Sequence, residues 1–187
     1  MNNVESHISI QYFQHAYAEF ILGSYNNALC LCDFRYRKLR SAVDDRIQKL
    51  LNAQFIEKNS DVIETTKVQL SEYFSGARTS FDLPLITAGT SFQKSVWDAL
   101  QAIRYGETLS YRDLATTIDN EGAVRAVGTA NGANALAIII PCHRVIASDG
   151  SMGGYGGGLP LKKRLLALEE KVLAYKKTGT MVTLKDK

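Results

Sequence analysis

The residues best suited to chemistry lie in one tetrapeptide, Pro141-Cys142-His143-Arg144, which follows a nearly unbroken apolar run from Leu136 to Ile140. A lone cysteine is most often an inert buried thiol. Here the preceding proline favours the first position of a helical turn, where free backbone N–H groups lower a thiol pKa and expose the thiolate as a nucleophile. His143 is the immediate neighbour, and consecutive side chains on a helical turn diverge by about 100°. A direct Cys–His contact of the cysteine-protease kind is therefore awkward, and a bridging water is the better path for the proton. Such a relay works when a carboxylate fixes the imidazole tautomer and supports its charged form. Glu169 is the candidate carboxylate, beside Leu165, Leu166 and Val172 on the apolar face of a helix that Pro160 opens; the plainer reading places it at a solvated rim.

Other chemistries find less support. The loop Gly153-Gly154-Tyr155-Gly156-Gly157-Gly158 lacks the lysine-and-hydroxyl ending of a phosphate-binding loop, and no βαβ pattern surrounds it to make a dinucleotide site. No grouping of cysteines and histidines has zinc-ligand spacing, so neither a metal nor a cofactor is expected. With three cysteines, Cys30 and Cys32 only two residues apart, a disulfide framework is not expected. Cys30 and Cys32 read as small apolar residues on a strand face.

The elements that must position these groups are legible in part. From Ser9 to about Arg37 the chain is rich in Tyr, Phe, Ile and Leu, and the Ser24-Tyr25-Asn26-Asn27 segment has turn chemistry, which predicts a β-hairpin with an earlier strand beside it. Leu39, Val43, Ile47, Leu50 and Leu51 recur at helical spacing behind Ser41, taken as the cap, and a second helix is expected from about Asp61 to Phe74, stopped by Gly76. The stretch from Gly76 to Thr90 reads as a linker. Thr90 and Gln93 then form a capping-box pattern before an apolar face of Phe92, Val96, Trp97, Leu100 and Ile103. Ser110 and Asp113 open a short helix holding Leu114, Ala115 and Ile118; three residues later a further helix is expected over Gly122–Ala133. That is helix-turn-helix spacing. The second of these helices carries one charged residue, Arg125, among Gly, Ala, Val, Thr and Asn. It offers too little to read base edges in a major groove, but a smooth face can approach the backbone and a shallow groove closely with one long side chain to insert. The apolar run before Pro141 is expected to be a buried strand or extended segment.

Composition sets outer limits. A chain of 187 residues with a net charge of +3 and 45% hydrophobic residues is an ordinary globular protein of one domain or two small ones, not a polybasic nucleic-acid binder. Its charge excess lies in residues 172–187, where Lys176, Lys177, Lys185 and Lys187 face a single aspartate, and this reads as a solvated, frayed end. No run reaches the roughly 18 apolar residues of a membrane span and no signal peptide opens the chain, so a cytoplasmic location without membrane contact is expected.

The run from Thr90 to Lys171, with FQKSVWDAL, YGETLSYRDLA, RAVGTANGANALAIIIPCHRV and GGYGGGLPLKKRLLALE, resembles the O6-alkylguanine-DNA alkyltransferases, also called methylated-DNA–protein-cysteine methyltransferases. The FDLPL stretch at residues 81–85 resembles that family's linker. The resemblance implies an α/β protein in which a small ribonuclease-H-like α/β N-terminal domain with its linker (residues 1–88) precedes a mostly helical winged helix-turn-helix C-terminal domain (89–175) and a basic tail (176–187). It implies a monomer that binds double-stranded DNA containing O6-alkylguanine, flips the damaged base from the minor-groove side and takes the alkyl group irreversibly onto Cys142, with O4-methylthymine as a second substrate. Cys142 would be the acceptor, His143 the water-mediated base, Glu169 the carboxylate orienting it and Asn134 the brace of the active turn. Tyr111 would donate to the leaving base and crowd its phosphate. Arg125 would replace the flipped nucleotide, with Ala126, Gly128 and Thr129 against the DNA. Tyr155, Gly156, Gly157 and Lys162 would form the base pocket, with the Gly156 N–H on guanine O6 and the Val145 carbonyl accepting from the exocyclic amine. Arg104 and Ala135 depart mildly from the family pattern. Three other readings stand beside this one. A non-catalytic lesion sensor on the same fold would lack the cysteine, a winged-helix regulator would need a richer recognition helix, and a cysteine hydrolase would need a direct Cys–His contact.

Overall fold

Two asparagines make the first tight turn. In the computed structural model, which describes residues 6–178, Asn26 and Asn27 both take positive φ, 47° and 59°, the left-handed pair that a two-residue hairpin demands. They join β2 (Glu19–Tyr25) to β3 (Ala28–Phe34) in antiparallel register, and β1 (His7–Gln14) pairs with the other side of β2. The expected hairpin and its earlier strand are both present. A further strand, β4 (Gln54–Glu57), runs parallel to β1 and gives the sheet order β3-β2-β1-β4. Its four residues are too few to show an alternating pattern, so nothing in the sequence marks it.

Helix α1 (Arg40–Leu51) covers one face of the sheet, with Val43 and Ile47 against Ile8, Ile21 and Leu31. Its expected cap does not hold: Ser41 lies inside the first turn, and Leu39 precedes the helix without a side-chain hydrogen bond. Arg40 bonds instead to Asp44 one turn on. Helix α2 (Asp61–Phe74) has the bounds expected for it and is capped by Ser60, which accepts from the Ile63 N–H at 3.3 Å. Gly76 then takes φ +80°, and the linker lies along β3, with Leu29 N–H donating to the Pro84 carbonyl and Ile86 N–H donating to the Leu29 carbonyl.

The capping box is present in full at α3 (Ser91–Gln101), where the Thr90 and Gln93 side chains each accept from the other's backbone N–H. Helix α4 (Tyr111–Thr117) is capped by Ser110, and α5 (Val124–Gly132) follows a single 3-10 turn over Glu121–Ala123, so it starts two residues later than expected. Trp97 on α3, 2% exposed, donates its indole N–H to the Ala130 carbonyl on α5. Two short strands, β5 (Leu109–Ser110) and β6 (Val145–Ile146), pair in parallel. The last helix, α6 (Leu159–Thr178), holds Lys176 and Lys177 in its final turn, where cations suit the helix dipole; Lys185 and Lys187 lie outside the described residues. One buried cluster runs through both halves of the chain, from Phe20, Leu22 and Tyr73 to Trp97, Leu100, Ile140 and Leu165.

Candidate active site

The segment before Pro141, expected to be a buried strand or extended segment, is a buried turn. Ile140 N–H reaches back to the Leu136 carbonyl at 2.8 Å, and Ile138 adopts φ +73°, a conformation that a β-branched residue holds only when its surroundings impose it. Asn134 is one such constraint. Its side-chain oxygen accepts from Leu136 N–H and its amide nitrogen donates to the Ile140 carbonyl, both at 2.9 Å, so one side chain clasps both ends. The edge of β3 is another: Cys32 N–H donates to the Ala135 carbonyl at 2.8 Å and Ala137 N–H to the Cys32 carbonyl at 2.7 Å. An apolar run alone does not distinguish such a turn from a strand.

The turn delivers Cys142, 5% exposed, at the start of one 3-10 turn, Cys142–Arg144. The expected lowering of its pKa does not occur. Burial pushes the thiol up to about 11; the Asn134 amide, Arg37 and Lys162 work against that rise while Asp33 adds to it. Three residues of 3-10 helix supply little dipole, and the Cys142 N–H is already bonded to the Ile140 carbonyl at 2.8 Å. At rest the group is a thiol, and a base must take its proton.

His143 is fully buried. Its Nε2 lies 2.9 Å from Glu169 Oε1. Burial depresses the imidazole pKa, and Arg144 and Lys162 add to that, against the opposing pull of Glu169; the ring is neutral at neutral pH. Burial would raise the Glu169 carboxyl, but hydrogen bonds and charge from His143 and Arg144 overcome it and hold the group at about 2. An ionised carboxylate only accepts, so the proton of the neutral ring sits on Nε2. Nδ1 is then a bare acceptor, buried and without a hydrogen-bond partner among the described residues. This is the geometry of a waiting base.

Glu169 is fully buried rather than at a rim. Arg144 donates to it through Nε and Nη2 at 3.0 Å and anchors itself on the Ile103 carbonyl at 2.7 Å. Gly106 N–H donates to Oε2 at 2.8 Å, and the Tyr73 phenol donates to Oε1 at 2.6 Å. Gly106 needs to be glycine: its φ is +78° and a Cβ would fall 2.3 Å from Leu173.

A cavity of about 470 Å³ opens onto the thiol, lined by Tyr111, Gly128, Asn131, Asn134, Cys142 and Gly153–Gly156, and by Asp33, Phe34 and Arg37 from the N-terminal half. The volume suits a purine-sized ligand. The Tyr111 hydroxyl lies so close to Gly153 that a Cβ there would come within 2.9 Å of it. Arg125 and Ala126 are exposed on α5, and the Arg125 guanidinium has no hydrogen bond or ion pair among the described residues. Thr129 on the same helix is exposed, its hydroxyl bonded to the Arg125 carbonyl.

Val145, Gly157 and Lys162 stand behind the cavity wall. Lys162 is fully buried, and its ammonium donates to the Val145 carbonyl at 2.6 Å and to that of Met152. A Cβ on Gly157 would meet Leu161 and Phe34. Several residues at the site lie outside the set expected from the sequence. Arg144 was visible inside the tetrapeptide. Asn131, which donates from Nδ2 to the Cys142 carbonyl at 3.4 Å, was visible as an amide on an otherwise bare helix. Tyr73, Asp33 and Arg37 gave no signal, because only the fold brings them near. Arg37 bonds to Asp33 and to the Gly132 and Asn134 carbonyls. Among the described residues, no cluster of His, Cys, Asp and Glu could hold a metal ion, and no helix is long and apolar enough to cross a membrane.

Fold and site together define a mixed α/β protein with one buried cysteine poised for group transfer beside a neutral histidine. Residues 91–171 match the family model described as the 6-O-methylguanine DNA methyltransferase, DNA binding domain. A methylated-DNA–protein-cysteine methyltransferase of Methanosarcina barkeri is 54% identical over 121 residues, spanning 62% of this chain and 77% of the relative. The inducible enzyme of that name from Bacillus subtilis is 44% identical over 124 residues, 66% of this chain and 69% of the relative. Among solved structures, the Mycobacterium tuberculosis protein in complex with DNA superposes with a TM-score of 0.75 at 36% identity, covering 88% of this chain and 94% of that one. The O6-methylguanine-DNA methyltransferase of Pyrococcus kodakaraensis gives 0.60 at 26% identity, covering 87% and 98%. The chain belongs to the methylated-DNA–protein-cysteine methyltransferase family.

Proposed function

We propose that this protein repairs DNA by moving a methyl or larger alkyl group from guanine O6 to its own Cys142, once per molecule. The observation that carries the reading is the unpartnered, buried Nδ1 of a neutral His143, next in sequence to Cys142, whose side chain lines a base-sized cavity. The thiol proton passes to His143 Nδ1 through a bridging water, and Glu169 supports the imidazolium that results. Cys142 Sγ attacks the alkyl carbon in line as the bond to O6 breaks, and the electron pair stays with guanine. The Tyr111 phenol, raised above its ordinary pKa by burial and then by Cys142, keeps its proton and donates to the departing base. A thioether remains, which water does not readily hydrolyse, so the protein is consumed.

The partner is double-stranded DNA carrying O6-alkylguanine, with O4-methylthymine a further substrate. Arg125 fills the space of the flipped nucleotide, and Ala126, Gly128 and Thr129 lie along the backbone. This gives binding to any sequence, with chemical selection left to the pocket. In this reading residues 1–88 form a ribonuclease-H-like unit and 89–175 a winged helix-turn-helix, with α4 and α5 as its helices and β5 and β6 at its wing. The protein acts as a monomer in the cytoplasm, where its three free thiols stay reduced. Incubation with duplex DNA containing O6-methylguanine, followed by peptide mass spectrometry, tests the reading. One added methyl on the Cys142 peptide is expected, and none with Cys142→Ala, which still binds DNA. Methyl transfer by that variant would overturn it.

A further inference from the structure

The oxygen of Glu169 that faces His143 is shared. Oε1 accepts from His143 Nε2 at 2.9 Å and from the Tyr73 phenol at 2.6 Å, and the phenol oxygen is itself 3.4 Å from Nε2. Tyr73 lies in the last turn of α2, in the half of the chain that carries none of the other relay groups, and it is fully buried. Its ring is fixed by Phe74, Phe81 and Tyr105 at centroid distances of 5.5–6.0 Å. Burial, and after it the charge of Glu169 and the hydrogen bond to it, hold the phenol well above its ordinary pKa, so it keeps its proton and donates across the acid and neutral range.

We propose that Tyr73 is a positioning residue for the alkyl-transfer relay: by holding Glu169 Oε1 from the N-terminal half, its phenol limits how much of that oxygen's negative charge His143 can command. The inference rests on the alkyl-transfer reading of the site. Its physical content is a competition. Each donor on a carboxylate oxygen lowers the charge available to the next. Arg144, an obligate cation, holds both oxygens, and Gly106 holds Oε2. The Tyr73 hydroxyl is the neutral donor on Oε1 besides the ring itself. With it in place, Glu169 orients the imidazole and fixes the proton on Nε2 without drawing a second proton onto Nδ1 in the resting protein. Nδ1 therefore stays bare at neutral pH until the thiol proton arrives. The other groups acting on His143 are Arg144 on its own turn, Lys162 on α6 and the Tyr155 ring 6.3 Å away; none of them shares the Glu169 oxygen as a neutral donor.

The test reads His143 itself. In the full-length protein labelled with ¹⁵N-histidine, the titration of His143 is followed by NMR, alongside the initial rate of Cys142 alkylation by iodoacetamide across the acid and neutral range. Tyr73→Phe keeps the ring and removes the donor; the His143 titration and the acid limb of alkylation both move up by about half a pH unit. Tyr73→3-fluorotyrosine keeps the fold and makes the phenol a stronger donor, and both midpoints move down. Tyr105→Phe is the control, because its buried hydroxyl has no hydrogen-bond partner among the described residues and its removal leaves the midpoints in place. Unmoved midpoints in both Tyr73 variants, or shifts of the opposite sign, overturn the proposal. If Tyr73→Phe does not fold, the fluorotyrosine variant decides alone. These readouts need no DNA, so a wild-type protein that failed to take a methyl from O6-methylguanine would sink the functional reading separately.

Discussion

Glu169 does two jobs that one substitution can separate. Its charge keeps the proton of His143 on Nε2, and its oxygens neutralise Arg144, whose side chain is 8% exposed. Glu169→Gln is expected to move the thiol-limited alkaline limb of Cys142 alkylation to higher pH, because an amide supports an imidazolium poorly, while the acid limb set by His143 moves down. The same change leaves a buried guanidinium without its counter-charge and is expected to cost ~3–5 kcal/mol of stability, measurable as a lower urea midpoint. An unmoved alkylation profile would remove Glu169 from the relay even if stability fell. Arg125 makes the opposite case, an exposed residue whose guanidinium has no partner among the described residues. Arg125→Ala should leave the urea midpoint within about 0.5 kcal/mol of wild type. It should greatly weaken repair of duplex DNA and spare most of the reaction with free O6-benzylguanine; equal losses on both substrates would argue against insertion into the helix.

At the scale of elements, the turn from Asn134 to Cys142 is the part on which the nucleophile depends. Asn134→Ala removes two hydrogen bonds and orphans the buried Leu136 N–H, while the Ile140 carbonyl keeps the Cys142 N–H, an expected loss of about 1–3 kcal/mol. Transfer should slow beyond what the remaining folded fraction explains, because Ile138 is then free to leave its left-handed conformation and carry Cys142 with it; a rate that tracks folded fraction alone would contradict this. Elements whose signals are local were legible in the sequence. The Thr90/Gln93 box, the Ser110 cap and the paired asparagines of the hairpin each determine their own few residues. The turn was not, because five apolar residues in a row look alike in a strand and in a buried bend, and what bends them is Asn134 and the edge of β3. The relay was legible where its members are neighbours in sequence or share a helical face, as Cys142, His143 and Glu169 do. It was illegible at Tyr73, 70 residues from His143, where nothing but tertiary packing makes the contact. The thiol's pKa runs opposite to the sequence expectation for a related reason: helix-end effects can be read from sequence, while complete burial cannot.

For the whole molecule, the buried titratable groups set how stability responds to pH. His143 has a folded pKa below its unfolded value of 6.5, so the neutral ring favours the fold above about pH 6.5 and that contribution is lost as pH falls below it. Glu169, at about 2 against 4.5 unfolded, adds stability above about pH 4.5 that disappears as pH falls toward 2. Cys142, raised from 9.0 to about 11, favours the fold below about pH 9 and loses this as pH passes 11. The urea midpoint is therefore expected to be flat between roughly pH 7 and 9, to decline below 6.5 and to steepen below 4.5. A midpoint that rises on acidification would contradict these assignments. Because a single apolar cluster links Phe20 and Tyr73 to Trp97 and Leu165, both halves should unfold together in that experiment.

The hydrogen bonds that fasten the active turn to β3 have one more effect. A strand at the margin of a sheet offers unpaired donors and acceptors to any passing chain, and so invites aggregation. Here the outer side of β3 is closed from within: Leu29 is paired with the segment at Pro84–Ile86 and Cys32 with Ala135 and Ala137. What remains open is β4, a margin of four residues. The stitching that locates Cys142 also leaves less open strand edge for a second copy to pair with, a useful property in a molecule that must be made anew for every lesion it removes.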